Sequence, residues 1–226
     1  MVGRGLVRSR SQAQDLIRRG LVTVDGRTAR KAGETTPPSA IIHVQGDETG
    51  MVSRGGVKLR AALDTFDFDP AGRIALAIGA STGGFTQILL ERGARRVYAV
   101  DVGHGQLDAA LAADPRVVSL EGFDTRELTR GSVEGHEIDA VVADLSFVSL
   151  GVALGPALAL ARRRAWLVAL VKPQFEVGRE CVGKGGVVRD EALRRRAVAD
   201  AAAWIGAQGW SLCGDIQSPI GGGSGN

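Results

Sequence analysis

Only four of the 28 cationic side chains in this chain are lysine: Lys31, Lys58, Lys172 and Lys184. Lysine can give up its proton at accessible cost and arginine effectively cannot. A lysine kept in so arginine-rich a chain is therefore a mild pointer to proton chemistry. Lys58 stands in SRGGVKL, and Lys172 ends the apolar run LVALVKPQF. The other chemically suggestive stretch is LAIGASTGGF, Leu76 to Phe85. Read as Gly79-x-Ser81-x-Gly83, it is the nucleophile elbow of a serine hydrolase. Read as a strand, a Gly-rich turn and a helix, it seats a nucleotide against Gly79, Ser81, Gly83 and Gly84.

Chain order separates the two. A hydrolase of this architecture needs the serine, then an acid, then a histidine. Only His104 and His136 follow Ser81, the first just past a predicted strand and the second in the polar loop VEGHEID. Neither occupies the late loop expected of the base, and both read as surface or helix-start residues. The nucleotide reading gains Asp101, which follows RVYAV and lies 18 residues after Gly83. An acidic residue about 20 residues beyond such a turn meets ribose hydroxyls. GASTGG departs from G-x-G-x-x-G by placing Ser81 where bare backbone would approach a pyrophosphate, so a nucleoside ligand without phosphate, such as S-adenosylmethionine, fits better.

These residues need elements to hold them. Ser9 or Ser11 can cap a helix running to Arg19, with Gly20 as its stop. LVTVDGRTA alternates and turns at Asp25-Gly26 as a hairpin, residues 41–44 read as a short strand, and GDETG at 46–50 as a linker. Beyond it the pattern predicts helices over 56–66, 84–92, 105–112, 151–161 and 190–207. Strands are predicted over 73–78, 96–100, 116–120, 138–143, 165–171 and 210–216. Strands alternating with helices imply an α/β fold with a parallel, doubly wound sheet. Ligands in such sheets sit at the carboxyl ends of the strands, where Gly79 to Gly84, Asp101, Asp124, Asp144 and Lys172 fall.

Composition narrows the class. With 226 residues, 44% of them hydrophobic, the chain can bury one good core and a small satellite domain. Arg162 to Arg164 interrupt the longest weakly polar stretch, which excludes a membrane-spanning helix there. The N-terminus has no apolar signal region, so the expected location is the cytoplasm. Cys181 and Cys213 lack CxxC spacing and read as free thiols, and no metal-ligand cluster appears. Residues 1–60 carry eleven Lys and Arg against five Asp and Glu, while the remainder carries 17 against 20. A basic module ahead of a near-neutral domain suggests a grip on a polyanion beside a reaction domain.

The segments SRGGVKL (53–59), GASTGGFT (79–86), VYAVDVGHGQL (97–107), ADLSFVSL (143–150), VALVKPQFEVGRECVGKGGVVRD (168–190) and SPIGGGSGN (218–226) resemble the TlyA family. These are bacterial ribosomal RNA 2′-O-methyltransferases, some of which carry the name hemolysin. The resemblance implies an S-four RNA-binding domain at 1–45, a linker at 46–52, and an FtsJ-like, Rossmann-type methyltransferase domain at 53–226. It implies methyl transfer from S-adenosylmethionine to a cytidine ribose hydroxyl of ribosomal RNA. The family's Lys-Asp-Lys-Glu set maps Lys58, Asp144 and Lys172 as catalytic, with Lys172 as candidate base. Gly79, Ser81, Gly83, Gly84, Asp101 and Asp124 are expected at the cofactor, and Arg10, Arg18, Arg19 and Lys31 at the RNA.

Two departures accompany the resemblance. Ala77 stands where the family has Asp in the first strand of the methyltransferase domain. The family pattern also continues after Gly-Asn to a catalytic Glu and a last apolar strand, whereas this sequence ends at Asn226. Its N-terminal helix is likewise short against the family's. The expectation is a sheet lacking its last strand and impaired turnover. The rival readings are a ribosomal RNA-binding protein without catalysis and, less favoured, a membrane-active hemolysin.

Overall fold

The computed structural model describes residues 1–7, 10–18, 20–44, 51–183 and 185–221, without the side chains of Ser11, Gln12 and Asp15. The chain divides into two compact units, Met1–Met51 and Val52–Asn226. In the first, helix α1 (Arg10–Arg18) gives way at Gly20, whose φ of 70° is left-handed. Strand β1 (Val22–Val24) then turns into β2 (Arg27–Thr28) through Asp25 and Gly26. Their φ values of 49° and 78° are those a two-residue hairpin turn requires. Strand β3 (Ile42–Val44) pairs antiparallel with the other side of β1, giving the order β2-β1-β3. The proposed cap Ser9 and the linker 46–50 lie outside the described residues.

In the second unit, α2 (Gly55–Phe66) precedes β4 (Ile74–Ile78), α3 (Gly84–Glu91), β5 (Arg96–Asp101), α4 (Ala109–Ala112) and β6 (Val117–Glu121). Then follow β7 (Ile138–Ala143), α5 (Leu150–Ala153), α6 (Gly155–Ala159), β8 (Ala161–Ala169), α7 (Pro173–Glu176) and α8 (Glu191–Ala207). The five strands form one parallel sheet in the order β6-β5-β4-β7-β8. All residues of β4 and β7 are buried, because helices cover both faces of a parallel sheet and its central strands must be apolar throughout. The order reverses at β4: β5 and β6 lie to one side and β7 and β8 to the other. This is the switch point at which such sheets bind ligands, at their carboxyl ends.

Several boundaries differ from the sequence expectation. The helix predicted over 151–161 breaks into α5 and α6, since Pro156 has no N–H for the carbonyl four residues back. The helix predicted over 105–112 is confined to α4, because residues 103–107 are held in a loop described below. Strand β8 begins four residues early and carries a register irregularity, with Arg164 at a φ of 66°. Residues 210–216 form no strand. Their alternation is a pattern of side chains, but a strand also needs a neighbour for its backbone ladder, and residues 211–219 run exposed. Asp139, a buried residue of β7, accepts from Ile74 N at 2.7 Å and pairs with Arg162 at 2.5 Å, tying β4, β7 and β8 together.

Candidate active site

Lys58, Asp144 and Lys172 come together at the carboxyl ends of β7 and β8. Asp144 leaves β7 with its amide donating to Ile78 O at 3.0 Å, so its backbone is fixed to β4. Gly79, at a φ of 73°, lies directly against it: a Cβ there would stand 2.6 Å from Asp144 O. Lys172 follows β8 and places its ammonium 2.6 Å from Asp144 Oδ1. This ion pair lies off the hydrogen-bonding direction of that buried oxygen, and the ammonium donates to Ser146 Oγ at 2.9 Å.

Lys58 reaches the cluster because the start of α2 packs onto the Gly-rich turn. Gly55 lies where a Cβ would be 3.4 Å from Asp144 Oδ2. A Cβ on Gly84 would collide with Ser53 Oγ and stand 2.9 Å from Gly56 N. Ser53 Oγ accepts from Gly55 N at 3.3 Å, and Gln87 Oε1 of α3 accepts from Val52 N at 2.8 Å. The glycines of SRGG and GASTGG thus serve one close approach between two segments. Burial pushes the Lys58 ammonium below its ordinary value; Asp144 opposes this, while Lys172 and Arg54 add to it.

The turn itself takes left-handed φ values at Gly79, Ser81 and Gly83, of 73°, 46° and 100°. Asp101, at the end of β5, holds it: Oδ2 accepts from Ser81 N at 2.8 Å and Oδ1 from Gly103 N at 2.7 Å. Ser81 Oγ lies 3.2 Å from Gln106 Oε1, and neither histidine serves it as a base. His136 Nδ1 is 2.6 Å from Tyr98 OH, and His104 packs over Gly122. The elbow reading therefore has no support in the geometry. Glu121, at the end of β6, accepts from the amides of Gly105, Gln106 and Leu107 at 2.7–3.0 Å and fixes the loop beside Asp101. Burial raises its pKa, but the three amides outweigh burial and the net direction is down.

Chemically, this arrangement suits a nucleoside better than a phosphate. Each Asp101 oxygen accepts one amide and retains capacity for a hydroxyl donor, while its charge repels phosphate. Asp124 is otherwise engaged: it caps the turn at 125–127 through Arg126 N at 2.9 Å and pairs with the Arg126 guanidinium, which holds its carboxyl at about 2. In the first unit Arg10, Arg18 and Lys31 are exposed, and Arg19 lies outside the described residues. Ala77 is buried in β4 between Ala99 and Val142.

Sequence reasoning missed the aromatic pair beside the cluster. Phe147 is 91% exposed with a φ of 67°, a conformation a bulky residue adopts only under local constraint. Its ring centroid lies 5.4 Å from that of Phe175. The available signal was two phenylalanines in polar, loop-forming motifs. Among the described residues no helix is long and apolar enough to cross a membrane, and no group of three or more His, Cys, Asp or Glu is placed to hold a metal.

Comparison with known proteins accords with this geometry. The family model described as FtsJ-like methyltransferase matches residues 51–226, and the S4 domain model matches residues 2–42. A 16S/23S rRNA (cytidine-2'-O)-methyltransferase TlyA of Mycobacterium tuberculosis is 49% identical over 100% of this chain and 84% of its own length. Hemolysin A of Brachyspira hyodysenteriae is 40% identical over 98% of this chain and 92% of its own. A solved structure of a hemolysin-named protein from Streptococcus thermophilus superimposes with a TM-score of 0.80 at 38% identity, covering 98% of this chain and 81% of that one.

Proposed function

The chain belongs to the FtsJ-like methyltransferase family, in the TlyA group with its N-terminal S4 domain, and from that premise we propose that it methylates a cytidine ribose 2′-hydroxyl of ribosomal RNA using S-adenosylmethionine. The observation that carries the reading is the meeting of Lys58, Asp144 and Lys172 beside the turn that Asp101 holds. Bound at Gly79, Ser81, Gly83, Gly84 and Asp101, the cofactor supplies a methyl group on a sulfonium, an electrophile needing no further activation. Asp124 would join this set only by loosening its pairing with Arg126.

The protein's own task is the nucleophile. A ribose hydroxyl is a poor acid and needs a positioned base or strong stabilisation of the developing alkoxide. Lys172 is pinned against Asp144 and Ser146, a position from which it can stabilise negative charge on the oxygen. Lys58 is the ammonium that burial disposes to lose its proton, so we assign the base to Lys58 rather than to Lys172. Asp144 orients both. Phe147 and Phe175 offer aromatic faces of the kind on which an unstacked base rests.

Calorimetric titration with S-adenosylmethionine, together with transfer of labelled methyl to ribosomal RNA, tests the proposal. Saturable binding that Asp101→Ala weakens at least tenfold, with label on a cytidine ribose, is the expected result. Ribosomal RNA binding by a folded sample that takes up no cofactor would instead establish the RNA-binding reading. The N-terminal module should grip RNA mainly through phosphates. Replacing Arg10 and Arg18 with Ala together should weaken RNA binding and flatten its salt dependence by about two phosphate contacts, roughly 1.4–1.8 in log-log slope; an unchanged slope rejects that surface.

A further inference from the structure

The loop leaving β7 and the turn leaving β8 are laced together residue by residue. Lys172 meets Asp144 and Ser146, Phe175 meets Phe147, and Glu176 meets Leu150. The last contact is a backbone one: Glu176 Oε1 accepts from Leu150 N at 3.0 Å. Leu150 is the first residue of α5, whose N-cap Ser149 makes no side-chain capping bond. The capping acceptor therefore arrives from α7, on the far side of a 26-residue separation.

Helices α5 and α7 are four residues each. One turn fixes several dihedrals for a single hydrogen bond and is not stable by itself. Each must be held from outside, and Glu176 is where each holds the other. Asp144 is fixed independently through its amide bond to Ile78 O and the close approach of Gly79. Lys172 stands two residues beyond the last bond of β8 to β7, Leu170 N to Ala143 O at 2.9 Å, and its carbonyl accepts from Phe175 N at 2.9 Å, so it is held from the α7 side. Its ammonium stays beside Asp144 only while α7 stays seated.

We propose that Glu176 is a positioning residue for methyl transfer: by accepting the first amide of α5 it seats α7 and so fixes Lys172 against Asp144 and Ser146. This rests on the methyltransferase reading above. It accounts for a carboxylate kept partly buried near the site: burial raises its pKa, with the Leu150 amide opposing. A carbonyl oxygen is enough for the contact, so Gln should replace Glu where Ala cannot.

The test compares Glu176→Ala and Glu176→Gln in the full chain, with Glu176→Asp, one methylene shorter, serving should the Ala variant not fold. Thermal midpoints provide the folding control. In Glu176→Ala the single-turnover rate at saturating cofactor should fall by about 10²-fold, the scale of a 1 Å misplacement. Cofactor affinity should be unchanged and the Leu150 amide should exchange faster.

The pH profile adds a readout that a purely structural role would not move. The groups acting on Lys58 are Asp144, Lys172 and Arg54. When Lys172 swings away, Lys58 loses a like charge that lowers it, so the limb along which the rate rises should move to higher pH; Glu176→Gln should restore both rate and limb. An unmoved rate and limb in Glu176→Ala, or a Gln variant as slow as the Ala variant, overturns the proposal. Should the unmodified chain transfer no methyl group, the functional reading fails by itself. Titration of 13C-methylated Lys58 by NMR then decides the positioning role, supporting it if Lys58 shifts upward in Glu176→Ala alone and rejecting it otherwise.

Discussion

Lys58→Arg should lower methyl transfer by about 10²–10⁴-fold, the contribution of a positioned general base, with cofactor binding unchanged. The substitution keeps the positive charge beside Asp144 and Lys172, so the local field is largely preserved. It removes the ability to exist as a neutral amine, because guanidinium does not deprotonate in proteins. In the unmodified chain the rate should rise with pH along a limb lying below the ordinary lysine value, because burial depresses Lys58 despite the opposing pull of Asp144. The same shift carries a stability sign. Between the depressed folded pKa and the unfolded one, the unfolded chain binds the extra proton, so stability rises as pH increases through that window. Single-turnover rates of both forms across pH provide the check. If Lys58→Arg keeps the rate within tenfold and preserves the limb, Lys58 acts only as a cation and the base returns to Lys172.

Gly79→Ala is expected to be the most damaging small substitution in the methyltransferase unit. The position needs a φ of 73°, and the added Cβ would lie 2.6 Å from Asp144 O and 3.0 Å from its carbonyl carbon. Those atoms are backbone, and Asp144 is tied to Ile78, so no flexible side chain can yield. Left-handed strain costs about 1–3 kcal/mol and overpacking typically about 1–3 kcal/mol more. Against a total stability of roughly 5–15 kcal/mol, the sum is a large fraction. Denaturant titration should show a midpoint well below that of the unmodified chain, with cofactor binding lost even where the fold persists. A midpoint and affinity within error of the unmodified chain would show that the two strand ends can part without cost.

Some of this is legible in the sequence alone. Apolar runs such as IALAI and IDAVVA announce strands buried on both faces, and the Gly-rich turn followed by Asp101 falls at the carboxyl ends of the strands, where the cofactor is proposed to bind. Lys58 and Lys172 stood out because arginine fills most other cationic positions. What sequence could not supply were relations between segments. Ser53 against Gly84, or Glu176 against Leu150, is a contact between side chain and backbone across a fold, and no periodicity encodes it. The proposed assignment of the base likewise turned on burial, because it is the packing around the start of α2 that pushes Lys58 toward neutrality. The expected strand at 210–216 shows the converse, since alternation describes faces and says nothing about who accepts the backbone hydrogen bonds.

The central place of β4 has a consequence for how the chain is made. One edge of β4 pairs with β5, which follows within about 25 residues, but the other waits for β7, and the Ile74 amide meets Asp139 across 65 residues. A nascent chain therefore carries a fully apolar strand with an open edge until much of the domain has emerged. Non-local parallel pairing of this kind closes slowly, and exposed strand edges recruit other chains. At a synthesis speed of about 5–20 residues per second, that edge stays open for several seconds, the interval in which a chaperone gains most and misassembly begins.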